Sequence, residues 1–182
     1  IFFIQNNKGY KVNYIKSLVC RGIFLFLHYQ IQMSMNVKHY LDSTYLKTNE
    51  QAGLSEHENE NVVRGFIQEA IDENFKLIMI RPDRVALAKK MITKANSKVT
   101  IGTVIGFHQG TANSKEKLEE ASIAIQNGVD DLDYVCNYTA FKNGEIDLVK
   151  NEILLGTKLG LDHHKIVKWI IEVAALNDTK II

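Results

Sequence analysis

The chain has 182 residues, of which 46% are hydrophobic and 24% charged, so it can bury a core and is not mainly disordered. Its 22 basic and 21 acidic side chains give a net charge of +1, which offers a nucleic acid or an anionic membrane no overall attraction. Cys20 and Cys136 lack a metal-binding spacing, which argues against a zinc site or a disulfide framework and favours a reducing, cytoplasmic location.

The first 32 residues differ from the rest of the chain, because they contain no acidic residue. Their apolar run 22–27 is far shorter than the ~20 residues that span a bilayer, and no small-residue cleavage site follows it. We interpret residues 1–34 as an extension of doubtful origin. Upstream sequence translated ahead of a start at Met33 or Met35 is favoured over a natural extension. Residues 35–182 are predicted to form one domain.

From Met33 onward, short apolar runs alternate with segments of helical period. Residues 40–46 predict a strand, 47–60 a polar loop, and 60–75 a helix with Val63, Phe66, Ala70 and Ile71 on one face. Residues 76–80 (KLIMI) are typical of a strand buried on both faces. Pro82, which loses no hydrogen bond at a first helical position, then opens a helix.

Three further strands follow in the same alternation. Residues 99–105 predict the third strand, and a helix from Ser114 turns Leu118, Ala121 and Ile125 inward and ends at Gly128. Residues 131–137 predict the fourth strand. A helix over 146–159, closed by Gly160, leads to the fifth strand at 165–173.

Five strand-then-helix units imply parallel strands with helical crossovers, and therefore an α/β fold. Periodicity leaves two solutions open, a doubly wound open sheet and a closed (β/α)8 barrel. A barrel needs ~250 residues. Residues 33–182 fall well short of that length, so a barrel would be truncated after about the fifth strand.

Two charged residues interrupt the predicted apolar strands. Asp133 lies in the middle of the fourth strand, with Asp131 on the same face, and a buried carboxylate is costly unless it is paired. Asp133 therefore indicates either a structural ion pair or a reacting group, and the residues alone favour the ion pair. Lys168 on the fifth strand is either a neutral Schiff-base nucleophile or a charged, paired lysine that positions other groups. Asp42 and Glu172 lie on or near strand ends, where barrel enzymes assemble their sites.

Other signals are weaker. The glycines of GTVIGFHQG match no nucleotide-binding motif. His163 and His164 lie in a polar turn and are expected to be solvated, whereas Cys136 is expected to be a buried structural thiol.

Five ordered segments together resemble 2-deoxyribose-5-phosphate aldolase, from about Met35 to the C-terminus. They are LDSTYLK at 41–47, KLIMIRPDRVALAKK at 76–90, VTIGTVIGFHQG at 99–110, EEASIAIQNGVDDLDYV at 119–135 and VKWIIEVAAL at 167–176. The resemblance implies a (β/α)8 TIM barrel. It also implies a cytoplasmic class I aldolase of deoxynucleoside catabolism that forms a lysine Schiff base and needs no metal or other cofactor.

The resemblance also assigns roles. Asp133 ends the family pattern G-A-D-E-hydrophobic-D, here residues 128–133, and is the catalytic residue that moves protons. Asp42 and Thr44 match a D-x-T block at the substrate and its proton relay, and Lys168 matches a site-lining lysine. The K-T/S-S-T-G block that carries the family's Schiff-base lysine is not found in this sequence. The departures at Met79, His108 and Val129 alter packing or loop shape and remove no group with a named catalytic role.

The expectation is therefore a fragment of an aldolase that lacks the nucleophile and is inactive alone. A non-catalytic half-barrel that acts as an interaction or regulatory module is the alternative, and an enzyme that uses Lys168 as nucleophile is a weaker one. The expected partner is a sugar phosphate, with no nucleic acid and no membrane, and homo-oligomers are left open. The unpaired edges of an open barrel also predict self-association.

Overall fold

The computed structural model describes residues 37–176, and these form a single parallel sheet covered by helices on one face. The interpretation of residues 1–34 lies outside the described residues. The strands are β1 (Asp42–Tyr45), β2 (Leu77–Ile80), β3 (Thr100–Ile105), β4 (Asp131–Val135) and β5 (Ile166–Ile170). The helices are α1 (Asn49–Ala52), α2 (Glu56–Glu73), α3 (Val85–Lys94), α4 (Ser114–Gln126), α5 (Tyr138–Lys142) and α6 (Ile146–Asp162).

The strand order decides between the two solutions that periodicity left open. The sheet runs β1-β2-β3-β4-β5, and every neighbouring pair is parallel. A doubly wound sheet reverses its order at a switch point, whereas a barrel adds each strand beside the last. The doubly wound alternative is therefore wrong, and the fold is a partial (β/α) barrel.

The two faces of the sheet build two separate apolar layers. Side chains alternate along each strand, so the outward residues pack under the helices and the inward ones line the barrel interior. The outer layer includes Ile78, Ile80, Ile101 and Leu132, with Val63 and Ile67 of α2. The inner layer consists of Leu77, Met79 and Val104, with Leu46, Phe107 and Ile170 packed against it.

Three predicted boundaries are wrong for local reasons. Helix α2 begins at Glu56 inside the predicted loop 47–60, because Ser55 and Glu58 form a capping box, and α1 occupies part of the same loop. Pro82 opens a 3-10 turn over residues 82–84 before α3 begins. Helix α6 does not end at Gly160 but continues to Asp162. The missing side chain of Gly160 lets the helix approach β5.

The inward face of α4 is rotated from the predicted one. Its buried residues are Lys117, Ala121 and Ala124, while Leu118 and Ile125 are only partly buried. The charged side chain of Lys117, which the sequence pattern does not turn inward, therefore lies in the core.

Candidate active site

The inner face of β4 and β5 brings charged side chains together. The register pairs Asp133 with Lys168 and Asp131 with Ile166, and the two-residue period of a strand turns both aspartates and the lysine to the same side. Lys168 Nζ lies 3.1 Å from Asp133 Oδ1 and 3.5 Å from Asp131 Oδ2. One ammonium group is thus shared by two carboxylates.

The surroundings of this cluster shift the pKa values of all three groups upward. Burial raises the pKa of the Asp133 and Asp131 carboxyls, against the opposing effect of Lys168. Burial lowers the pKa of Lys168, but Asp133, Asp131 and Asp42 together outweigh it and leave a raised value. Burial of the two carboxyls, together with the excess of carboxylates over the one ammonium group, therefore holds protons on the cluster more tightly than on the free groups.

The geometry of the Asp133 contact leaves capacity for another donor. Asp133 Oδ1 is buried and accepts no well-directed hydrogen bond among the described residues, so the contact with Lys168 is an ion pair. Lys168 itself is 43% exposed toward the barrel interior. A carboxylate with an unused acceptor beside an accessible cation is an arrangement that can exchange a proton with a bound molecule.

Asp42 and Thr44 occupy the same inner face on β1. Asp42 is exposed, and its charge contributes to the raised pKa values of Asp131, Asp133 and Lys168. Thr44 lies beside Met79 in the register, and no hydrogen bond joins it to Asp133 or Lys168. The structure therefore brings Asp131, Asp133 and Lys168 into contact, adds Asp42 through its charge, and leaves Thr44 apart.

The remaining candidates lie outside the cluster. Glu172 follows β5 with a left-handed backbone and an exposed side chain. Cys136 is 6% exposed, and burial raises the pKa of its thiol, as expected of a structural cysteine. His163 and His164 are exposed. Within residues 37–176, no three histidine, cysteine or acidic side chains converge as metal ligands would.

An apolar wall adjoins the charged cluster. Met79 and Leu77 fill the space above Gly102 of the neighbouring strand, where a Cβ atom would overlap the Met79 side chain. Small and large residues thus alternate across neighbouring strands, as the packed interior of a barrel requires. The aspartates and Lys168 lie beside this wall, which explains why burial raises the carboxyl pKa values.

A cavity of about 120 Å³ lies elsewhere, between the segment after β1, the start of α2 and the end of β2. Its lining includes Tyr45, Asn59 and Arg84 but none of the expected site residues. Buried Asn59 accepts a hydrogen bond from the Tyr45 hydroxyl and donates to the Lys47 carbonyl, which makes the cavity wall part of the β1–α2 packing.

A second charged cluster, which the sequence pattern did not predict, lies behind the site. Lys117 of α4 and Glu152 of α6 form an ion pair with side-chain exposures of 1% and 3%. The signal was present in the helical period: Lys117 lies four residues before Ala121 and therefore on the buried face.

Relatives of known function extend this description. The chain is 32% identical to a deoxyribose-phosphate aldolase of Thermococcus gammatolerans over 80% of its own length and 61% of the relative. It is 35% identical to one of Lactiplantibacillus plantarum, over 81% of its own length and 64% of that relative. The chain thus spans about three fifths of the length of the curated relatives it matches. No protein-family model matches it.

Solved structures of deoxyribose-phosphate aldolases share the fold. A tetrameric deoxyribose phosphate aldolase of Aeropyrum pernix superposes with a TM-score of 0.65 at 26% identity, covering 79% of this chain and 56% of that one. A protein of Coccidioides immitis assigned as a deoxyribose-phosphate aldolase gives a TM-score of 0.68 at 28% identity, covering 80% and 53%. In sequence and in fold, the chain is thus similar to deoxyribose-phosphate aldolases along about three fifths of their length.

Proposed function

We propose that this chain supplies the proton-handling part of a deoxyribose-phosphate aldolase site. The reaction is the reversible aldol cleavage of 2-deoxy-D-ribose 5-phosphate to acetaldehyde and D-glyceraldehyde 3-phosphate through a lysine Schiff base. The observation that carries the proposal is the contact of Asp133 with Lys168 on the inner face of the sheet, 3.1 Å from oxygen to nitrogen. The similarity to deoxyribose-phosphate aldolases supports the choice of substrate, a sugar phosphate.

Asp133 is the proposed proton carrier in carbinolamine breakdown and enolate formation. Its raised pKa supports this role, because a carboxyl that protonates more readily than usual can both give and take a proton. Lys168 is proposed to keep Asp133 in place and to line the substrate site. Asp42 adds negative charge to the cluster, while Thr44 is proposed to contact substrate or the proton relay.

Lys168 is not proposed as the Schiff-base nucleophile. Only a neutral amine attacks a carbonyl, and the neighbouring carboxylates raise the pKa of Lys168 and keep it protonated. The family block that would carry the nucleophile is not found in this sequence. We therefore propose that the chain alone is inactive.

Trapping with borohydride tests the proposed inactivity. The chain is incubated with 2-deoxyribose 5-phosphate and borohydride, and its mass is measured intact and after digestion. We expect no covalent adduct, because the raised pKa of Lys168 leaves it protonated and unable to form a reducible imine. An adduct on Lys168 would establish that lysine as the nucleophile and reject the proposed division of roles.

A completed barrel tests the role of Asp133. Residues 38–176 replace the matching segment of the Thermococcus gammatolerans relative, which contributes its own remaining sequence. We expect aldolase turnover, and Asp133→Asn should reduce it by a factor on the order of 10² or more, as expected for a lost proton-transfer group. Asp72→Asn, a change of an aspartate on α2, is the matched control.

The alternative is a non-catalytic half-barrel that acts as an interaction or regulatory module. A folded but inactive completed barrel, with Asp133→Asn changing only the melting temperature, would favour this module and the purely structural ion pair. The same measurements therefore separate the two functions. A cytoplasmic location and assembly into homo-oligomers belong to the proposal as well, the latter supported by the tetrameric Aeropyrum pernix structure.

A further inference from the structure

Lys117 and Glu152 form the most completely buried ion pair of residues 37–176, with Nζ 2.5 Å from Oε1. Lys117 lies on α4 and Glu152 on α6. Transferring two charges out of water costs more than their attraction returns, unless their other hydrogen-bonding groups are also satisfied. The other bonds of this pair therefore show what it does in the fold.

Those bonds go to the backbone at the carboxyl ends of β3 and β4. The Lys117 ammonium donates to the carbonyl oxygens of Gly110 and Val135, each at 2.8 Å, so all three of its protons have an acceptor. The second oxygen of Glu152 accepts the N–H of Asn137 at 3.0 Å. One ion pair thus joins the segment after β3, the end of β4 and α6.

The segment after β3 is held at a second point by the same helix. Glu120 of α4 accepts the N–H of Gly106 at 2.8 Å, four residues before the Gly110 carbonyl that Lys117 binds. Gly110 has a φ of 69°, and a Cβ atom there would overlap the carbonyl oxygen of Cys136. The loop is therefore pressed against the end of β4, two to three residues beyond Asp133.

We propose that Lys117 and Glu152 are positioning residues for the Asp133–Lys168 pair, holding the end of β4 in the place that sets this contact. The inference rests on the proposed function for the importance of that pair. An apolar pair of similar volume would supply comparable stability. It would not supply directional bonds to the Gly110, Val135 and Asn137 backbone, which is what the charged pair adds.

The test removes both charges and then measures Lys168. In the double variant Lys117→Met/Glu152→Leu no unpaired charge remains buried, so the chain is expected to stay folded by circular dichroism. The readout is the rate of Lys168 acetylation by acetic anhydride as a function of pH, measured by peptide mass spectrometry in the 182-residue chain. Exposed Lys150 on α6 is the internal reference.

If the pair positions β4, its loss lengthens the contacts of Lys168 with Asp133 and Asp131. Lys168 then loses its proton more easily, and its acetylation at pH 9 should rise about threefold relative to Lys150, equivalent to half a pKa unit. Lys115→Met, a change of an 85% exposed lysine two residues from Lys117, should leave the Lys168 profile unchanged. An unchanged profile in the folded double variant would overturn the proposal.

A second variant keeps the test decisive if the double variant does not fold. Glu152→Gln keeps the shape and the acceptor for Asn137 but removes the charge, and it should raise Lys168 acetylation by a smaller factor. Unfolding of both variants would assign the pair to folding alone and overturn the positioning role. Because acetylation needs no substrate, an inactive completed barrel would reject the proposed function without affecting this result.

Discussion

Tyr134 shows what a single buried hydroxyl costs at the residue scale. The side chain is fully buried on the outer face of β4 and stacks on Trp169, with ring centroids 4.8 Å apart. Its hydroxyl finds no hydrogen-bond partner among the described residues. Burial, helped by the charge of Glu120, raises the pKa of Tyr134 to about 12. The ring therefore contributes packing, while the hydroxyl opposes folding.

The substitution Tyr134→Phe should stabilise the chain at neutral pH by about 1 kcal/mol, because it removes an unsatisfied buried polar group. It should also change how the free energy of unfolding depends on pH in the alkaline range. Between pH 10 and about 12 the unfolded phenol has released its proton and the folded one has not, so stability falls as pH rises. Tyr134→Phe removes that contribution, and the part due to the raised pKa of Lys168 remains.

The measurement is urea unfolding at several pH values between 7 and 12. Tyr40→Phe, a change of a tyrosine that is 74% exposed, controls for the loss of a phenol as such. An equal alkaline slope for Tyr134→Phe and the unmodified chain would contradict the buried hydroxyl as a source of alkaline instability.

At the scale of elements, the packing of α6 on the sheet depends on two small residues. A Cβ atom on Gly156 would lie 2.9 Å from Trp169 Cζ2, and one on Gly160 would overlap Val167 Cγ2. Val167 is β-branched and has few other rotamers to adopt. The two glycines therefore set the distance between α6 and β5, and through β5 the place of Lys168.

Gly160→Ala should destabilise the chain by about 1–3 kcal/mol, the usual cost of overpacking a filled contact. Gly65→Ala is the matched control, since Gly65 is an exposed position within α2 with no atom within 4 Å of the added carbon. That control should gain up to about 1 kcal/mol from helix propensity. The unfolding midpoints of both variants are measured side by side. An equal increase of the midpoint in both variants would refute the close approach of α6 to β5.

At the scale of the whole molecule, the described sheet has two unpaired edges. β1 and β5 each pair with one strand only, and β5 is half exposed, with Ile166 54% exposed. Ile171 and Val173, which follow β5, are exposed to a similar extent. Unpaired strand edges with few charges are templates for pairing with another chain.

The 182-residue chain should therefore self-associate at micromolar concentration, which size-exclusion chromatography with light scattering measures. Ile166→Lys should shift the distribution toward monomer, because a charge on an edge strand opposes pairing. Ile123→Lys changes an equally exposed residue on α4 and is the control. A monodisperse monomer that melts cooperatively would show that the open edges are tolerated. Dissociation by Ile123→Lys alone would place the interface on the helices.

The sequence by itself determined the five strands, the parallel α/β class and the shared face of Asp131 and Asp133. These features depend on local periodicity, because side chains on one face repeat every two residues in a strand and about every 3.6 residues in a helix. The family resemblance predicted the barrel, and the comparisons agree with it.

Only the tertiary structure decided how these side chains are paired and how far each is buried. Strand order separates a barrel from a doubly wound sheet, and it depends on contacts between distant residues. The same holds for Lys117 and Glu152, which lie 35 positions apart and meet only because α4 and α6 pack together. Gly160 is a similar case. It is a contact point and does not end the helix, and this role depends on Val167 of the following strand. Local pattern cannot specify such pairings, because their free energy comes from burial that exists only in the folded chain.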